Sequence, residues 1–562
     1  MKTLEFGRNP GQGRGKALTQ LKGRQAAAQD IIEVRQVLGT SVDDPTMLIE
    51  YIHRLQDTFG GISLPHLAAL AHMLKLSQAE VYEVATFYHS FKVTEPTNKE
   101  ASNIVVRVCE SLVCELAGAD TLVENLAHQF PDNIMIERVA CLGRCERAPA
   151  AGIGAHYIAP ADVESVSAAL EPNDDDAEIE PQNLFSSYRD SGGYGLLRDC
   201  LDGKRTRAEI VDALEASQLN GLGGAGFPTA RKWRFVMAET GPRYLVVNGD
   251  ESEPGTFKDR HYMEQDPHRF IEGMLISAWA IEATATYLYI RNEYPGVRTL
   301  LEREIKLAET AGLVTCPVIF RRGAGAYICG EESALLESLE GKRGLPRHKP
   351  PFPAQIGLFG RPTLINNLET LYWVPNAVQD GAAWHSHPTK RHSNGLRSYS
   401  VSGRVKDSGV KLAPAGITAR ELIDEYCGGM ADGHEFRAYL PGGASGGILP
   451  ATMADLPLDF GTLEEYGALI GSAAVIVLSQ QDDIKSVVKN LLHFFAHESC
   501  GQCTPCRVGT EKAVTLMNTN DWDLDLLTDI ADVMADGSIC GLGQAAANPI
   551  RTAIKYFPGE IA

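Results

Sequence analysis

The chain has 562 residues, 44% of them hydrophobic and 22% charged, with a formal net charge of -20. That length exceeds what one hydrophobic core serves and calls for several domains. The acidic balance argues against a general nucleic-acid binder, and no apolar run reaches the roughly 18 residues of a membrane span.

Residues 1–30 read as a basic, flexible arm, in which, as far as Arg24, the residues Lys2, Arg8, Arg14, Lys16, Lys22 and Arg24 face a single acid, Glu5. Ordering against an acidic partner subunit and a transit peptide are the alternatives. Over 31–100 the apolar residues recur at three and four, as in Leu48, Ile52 and Leu55, then Leu64, Leu67, Leu70 and Leu74. This predicts a small helical bundle. Residues 101–170 read as a compact α/β domain: strands Ile104 to Val108 and Ile134 to Val139 each run into a cysteine pair, with a helix at Thr121 to Gln129 between them. An acidic linker free of periodicity follows at 171–195. Over 196–395 strands at Tyr244 to Val247, Ala285 to Ile290 and Pro317 to Arg321 alternate with helical patterns, which predicts a ligand-binding α/β domain. Strand and turn signals dominate 396–480, and 481–562 is helical. The fold class is α/β multidomain.

Twelve cysteines without a secretory signal point to a reducing, cytoplasmic setting. Cys500, Cys503 and Cys506 share one tight turn and Cys540 follows on a later loop. Three converging thiolates plus a fourth suit a [4Fe–4S] cubane, whereas structural zinc prefers two separate paired knuckles. Cys109, Cys114, Cys141 and Cys145 form a two-plus-two set that suits [2Fe–2S], with zinc the stronger rival here. Cys200, Cys316, Cys329 and Cys427 read as packing residues.

Gly221-Leu-Gly223-Gly-Ala-Gly226 matches G-x-G-x-x-G, but a helical pattern precedes it and the nearest strand follows it, so it is not the usual dinucleotide fingerprint. It reads equally as a ligand loop and as a structural turn. Asn248-Gly-Asp250-Glu251-Ser-Glu253 offers acceptors for ribityl or ribose hydroxyls, and the loop from Gly323 to Ser333 offers amides at a helix start. Lys342, Arg343, Arg347, His348 and Lys349 form a basic cluster, which is either a ligand contact or a solvated loop. Clusters carry single electrons and nicotinamide carries a hydride, so a chain joining them needs a two-to-one converter, usually a flavin. Gly443-Ala-Ser445-Gly-Gly447 matches a hydrolase nucleophile elbow, yet no following helix and no oxyanion motif accompany it. A zinc-stabilised scaffold subunit is the reading from another functional class.

The segments FYHSF, VCESLVC and ACLGRCERAP resemble the thioredoxin-like [2Fe–2S] subunit of respiratory complex I. GLGGAGFPT, NGDESEPGTFKDR, RRGAGAYICGEESALLESLEGKRGLPRHKPPFPAQ, ESCGQCTPCR and SICGLGQ resemble its FMN-binding subunit. The resemblance implies a fusion of the two: a thioredoxin-like domain, a Rossmann-like FMN/NAD(H) domain, a ubiquitin-like β-grasp domain of the SLBB-like kind over 396–480, and a helical [4Fe–4S] domain. Such fusions serve as β subunits of soluble NAD-dependent molybdenum or tungsten formate dehydrogenases, and as diaphorase subunits of NAD-reducing hydrogenases. GLRSYSVSGRVKDSGVKLAPAG, DEYCGGM and LPGGASGGILPA look most like the formate dehydrogenase type. That implies a metal–pterin α subunit with further iron–sulfur clusters as partner, and formate oxidation with NAD+ as acceptor; hydrogenase and quinone-linked complexes are the alternatives.

The resemblance also implies FMN contacts at Gly221, Gly223, Lys232, Asn248, Asp250, Glu251, Tyr327, Gly330, Glu331, Asn366 and Asn367. It implies NAD(H) contacts at Phe227, Phe235, Glu253, Glu332, Lys349 and Phe352, with Glu253 beside the nicotinamide as the catalytic candidate. Leu222 stands where complex I commonly has arginine, and Ala230 where it has glycine.

Overall fold

The computed structural model describes residues 25–39, 41–94, 104–130, 134–170, 179–385 and 395–561. The basic residues Lys2 to Arg24 and positions 171–178 of the acidic stretch lie outside the described residues. The chain divides into two compact units, residues 1–87 with 91–101, and 88–90 with 102–562.

The first unit is helical, as its periodicity predicts: Ala28–Leu38, Leu48–Phe59, Leu64–Leu74 and Gln78–Phe87. Gly60, at φ 71, ends the second helix in the left-handed conformation that glycine adopts without strain. Ser63 caps the third by accepting from the His66 amide, with Pro65 in the first turn. Ile52, Leu55, Leu70 and Val81 are fully buried.

The second unit contains three sheets. The first orders Ile134–Val139, Ile104–Cys109, Ala151–Ile153 and His156–Ile158; its first pair is parallel and the rest antiparallel. Register sets Cys109 opposite Val139, so both strands deliver their cysteine loops at the same edge.

The second sheet is wholly parallel and orders Thr363–Asn367, Arg243–Gly249, Ala283–Ile290 and Val318–Arg322. Helices connect its strands, so Leu245, Val246, Val247 and Leu288 are buried completely, the pattern of a sheet covered on both faces. Asn248 and Asn367 are register partners at the carboxyl ends of adjacent strands, where open α/β sheets bind ligands. The edge strand Thr363–Asn367 escapes sequence reading because it is five residues long and follows a proline-rich loop.

The acidic linker is shorter than its composition suggests. Phe185–Asp190 and Gly195–Leu201 are helices, and Tyr188, Tyr194 and Leu197 join the core of the parallel-sheet domain. Glu272 secures this segment by accepting from the Tyr188 hydroxyl at 2.5 Å and the Tyr194 amide at 2.9 Å.

The third sheet orders Gly409–Pro414, Leu396–Gly403, Ala474–Ser479, Phe436–Ala444 and Leu449–Pro450, and Leu396–Gly403 runs parallel to Ala474–Ser479. Helices Ile484–His497, Thr504–Met517, Leu524–Gly537, Gly541–Ala545 and Ala547–Tyr556 complete the chain. Among the described residues no helix is long and apolar enough to cross a membrane.

Candidate functional site

The first cysteine set is assembled by sheet register. Cys109 ends its strand, Cys114 lies in the helix Leu112–Leu116, and Cys141 and Cys145 follow the neighbouring strand. All four are buried and none is in a disulfide. The Sγ atoms of Cys141 and Cys145 are 3.4 Å apart, and Cys109 hydrogen-bonds both Cys114 and Cys141. Its bond to Cys109, with burial, pushes the Cys141 thiol up to about 12. Four buried thiols in mutual contact lose their protons only when a cation compensates the charge, so this donor set fits a metal centre.

The second set is more open, with Cys500, Cys503 and Cys540 partly exposed and Cys506 buried. Cys503 occupies the cap position of Thr504–Met517, and Cys540 that of Gly541–Ala545. The Cys540 sulfur accepts from the amides of Leu542 and Gly543, while burial pushes its thiol up to about 11. A Cβ on Gly543 would lie 2.8 Å from Cys506 Cβ and 2.5 Å from Ser538 Oγ. Ser538 Oγ is itself buried without a hydrogen-bond partner among the described residues. A space kept clear by glycine and lined by thiols, amides and an unpartnered hydroxyl fits a cluster.

Above the parallel sheet, the glycine-rich loop closes on itself through the Gly221 amide, which donates to Phe227 O at 2.8 Å. Gly223 packs so tightly that a Cβ would meet Asn367 Cβ at 2.9 Å. Asn248 donates to Gly330 O at 2.9 Å and accepts from the Asp250 amide at 3.1 Å, which fastens two predicted loops together. Asp250 Oδ2 is buried without a partner among the described residues, and burial pushes this carboxyl up to about 7. A group that pays such desolvation beside a glycine cradle fits a hydroxyl-rich ligand.

The remaining predicted residues divide by their partners. Asn366 accepts from Trp233 Nε1 at 3.1 Å, and Asn367 donates to Asp259 Oδ2 at 2.6 Å. Glu251 accepts from the Asp259 and Arg260 amides at 2.7 and 3.1 Å, and from the Tyr294 hydroxyl at 3.1 Å. Glu331 caps the helix Glu332–Leu339 through the Ser333 and Ala334 amides. These four brace the site. Glu253 instead accepts from the Ser445 amide at 2.7 Å and pairs with the Tyr327 hydroxyl. Phe227, Phe235 and Phe352 are exposed large aromatics, and Arg231 lies 5.8 Å and 5.5 Å from the first two rings.

Three family models match successive parts of the chain: thioredoxin-like [2Fe–2S] ferredoxin over 34–173, the Nuo51 FMN-binding domain over 214–376, and the NADH-ubiquinone oxidoreductase-F iron–sulfur binding region over 486–562. One of the two F subunits of the NADH-quinone oxidoreductases of Rhizobium meliloti (strain 1021) is 42% identical over 399 residues, covering 68% of this chain and 94% of the relative. The chain belongs to the NADH-quinone oxidoreductase F family. The corresponding F subunit of Escherichia coli (strain K12) is 41% identical over 394 residues, covering 67% of this chain and 88% of its own. A chain of the NAD+-reducing [NiFe]-hydrogenase crystal structure in the air-oxidised state superposes with a TM-score of 0.80 at 32% identity, covering 93% of this chain and 94% of that one.

This family member is therefore an FMN-dependent NAD oxidoreductase subunit with a [2Fe–2S] domain fused ahead of the FMN and [4Fe–4S] regions. The thioredoxin-like [2Fe–2S] ferredoxin match covers the stretch that holds the two-plus-two set. The basic cluster proves largely neutralised: Arg347 pairs with Glu337 and Glu340 at 2.5 and 2.9 Å, and Lys349 with Glu331 and Glu332 at 3.0 and 2.7 Å. Against the effect of burial, Lys232 and Lys349 hold Glu332 down to about 2. Ser445, from the hydrolase-like motif, shares its hydroxyl with Glu253 and Tyr327, both at 3.2 Å.

Within this oxidoreductase chain, the residues that join the sites escape sequence reading. Arg291, which is buried, donates to Cys141 O and to Glu251 O, each at 2.6 Å. Arg260 donates to Gly143 O at 3.1 Å. Cys145 accepts from the Gly255 amide, which belongs to the acidic loop itself. The available signal is an arginine directly after the strand Ala283–Ile290, too common a pattern to interpret alone.

Proposed function

We propose that the chain exchanges hydride between NAD(H) and FMN and passes single electrons to or from a separate catalytic subunit. One observation carries this reading most. The loop 250–255 is held on one side by the Cys141–Cys145 loop through Arg291 and Gly255. On its other side Glu253 contacts Tyr327, whose amide donates to Glu498 Oε2 at 2.8 Å, two residues before Cys500. This loop thus touches the first cysteine loop directly and reaches the segment that carries Cys500 through Tyr327 and Glu498.

When bound, FMN supplies the conversion between a two-electron hydride and single electrons. We assign its cradle to Gly221, Gly223, Lys232, Asn248, Asp250, Tyr327 and Gly330, with Glu251, Glu331, Asn366 and Asn367 as braces. NAD(H) is assigned to Phe227, Phe235, Glu253, Glu332, Lys349 and Phe352, the exposed aromatic faces offering stacking surfaces for adenine. Cys109, Cys114, Cys141 and Cys145 are assigned to [2Fe–2S], and Cys500, Cys503, Cys506 and Cys540 to [4Fe–4S]. Preorganised positioning, not side-chain acid–base chemistry, is the protein's contribution to hydride exchange. Glu253 orients the site through Tyr327 and Ser445. Glu253→Gln replaces an acceptor facing these donors, so the KM for NADH rises about tenfold, the order expected when a buried donor loses its match. FMN content stays at the wild-type level; its loss refutes the assignment.

Two donors have support. The end-to-end match to a chain of an NAD+-reducing [NiFe]-hydrogenase favours hydrogen. The tracts 395–416 and 440–451 resemble the formate dehydrogenase type and favour formate with a molybdenum or tungsten α subunit. Purifying the native complex and measuring NAD+ reduction with formate and with hydrogen separates them, and activity with neither overturns both.

A further inference from the structure

We propose that His89, His497 and Glu498 form a site for a zinc-class divalent cation, separate from both cysteine sets. His89 Nε2 lies 3.9 Å from Glu498 Oε2, and His497 Nδ1 lies 3.5 Å from Glu498 Oε1. One ligand atom from each residue falls within 4.8 Å of the other two. Tetrahedral zinc with bonds of about 2.0–2.1 Å needs its ligand atoms about 3.3 Å apart. The two measured pairs are within reach of that spacing by small side-chain rotations. Two imidazoles and a carboxylate are a donor set that zinc accepts while keeping a fourth position for water.

The three ligands are held by different elements. The His89 amide donates to Gly325 O at 3.1 Å, and the next amide, Ser90, to Ala324 O at 3.0 Å, pinning this segment to the glycine loop. His497 ends the helix Ile484–His497, and the Glu498 amide caps it on Phe494 O at 3.0 Å. The imidazole rings stack with centroids 4.1 Å apart and planes 19° from parallel, which brings their nitrogens near one carboxylate. Entry is open: the His89 and His497 side chains are 43% and 44% exposed, while Glu498 is 5% exposed. His497 also lines a polar cavity of about 360 Å³ in which Glu110, Glu115 and Asp120 face Arg138 and Lys489.

Coordination draws on the same carboxylate that accepts from the Tyr327 amide. Metal at this site therefore shares that carboxylate with the Tyr327 amide, which donates to Oε2, while Oε1 lies nearer His497.

The test uses the intact, cluster-loaded chain and Zn2+ alone. Anaerobic titration calorimetry is expected to give one Zn2+ per chain, with iron, sulfide and FMN contents unchanged. Zinc-edge absorption is expected to show nitrogen and oxygen ligands at about 2.0–2.1 Å with imidazole scattering. H89A/H497A is expected to weaken binding by more than about tenfold, the least loss that even an outer-sphere partner brings. The milder H89Q, at equal cofactor content, is expected to weaken it in the same direction. Absence of stoichiometric binding, affinity unaltered in H89A/H497A, or sulfur ligands at about 2.3 Å, which mark zinc in a cysteine set, each overturn the proposal.

Discussion

The two cysteine sets solve one problem in opposite ways. Cys109, Cys114, Cys141 and Cys145 are 1 to 4% exposed and are brought together by the register of two parallel strands. Cys500, Cys503, Cys506 and Cys540 are gathered by helix starts, three of them within seven residues, and three of the four remain partly exposed. The first set depends on the rest of the molecule, because Arg291, Arg260, Gly255 and Asn490 all reach its loops from other domains. The second depends mainly on its own helices. A local cysteine motif can therefore be read from spacing, whereas a dispersed one is completed by neighbours that no spacing reveals.

Cys540→Ser offers the sharpest way to break the comparison. It should abolish the [4Fe–4S] signal in the reduced paramagnetic resonance spectrum while leaving the [2Fe–2S] signal intact; loss of both would show that the sets are not independent. Arg291→Ala comes next. It strips a buried guanidinium from Glu293 at 3.1 Å and from the carbonyls of Cys141 and Glu251. Thermal unfolding of the loaded protein should show a loss of about 3–5 kcal/mol, the range for breaking a buried pair, accompanied by selective loss of [2Fe–2S] iron. Asn490→Ala has the smallest effect. Its amide donates to Glu110 O at 2.8 Å and to Glu115, joining the helix Ile484–His497 to the first cysteine loop. Denaturant unfolding should register about 1 kcal/mol, with both clusters retained.

The acidic loop shows where legibility ends. Asn248, Asp250, Glu251 and Glu253 stand out in the sequence as one cluster of acceptors. Only folding separates them, leaving Asp250 with an oxygen that has no partner among the described residues while Glu251 turns toward the amides of the helix Lys258–Gln265. Burial pushes Asp250 and Glu253 up, whereas lysines hold Glu332 down, and a linear pattern of charge contains neither environment. The stretch 184–195 is misread as linker for a related reason. It follows acidic composition, but its apolar residues Tyr188 and Tyr194 are committed to a core formed by distant helices.

By itself the sequence determined the long, periodic elements, the two sets of thiols and the glycine loops, because helix periodicity, strand alternation and ligand spacing are local properties of the chain. Tertiary structure decided which acids are braces and which face the cradle, how the cysteine loops meet the parallel sheet, and how His89 reaches His497. Those facts depend on desolvation and on hydrogen bonds between residues tens to hundreds of positions apart, and neither is encoded in any short window.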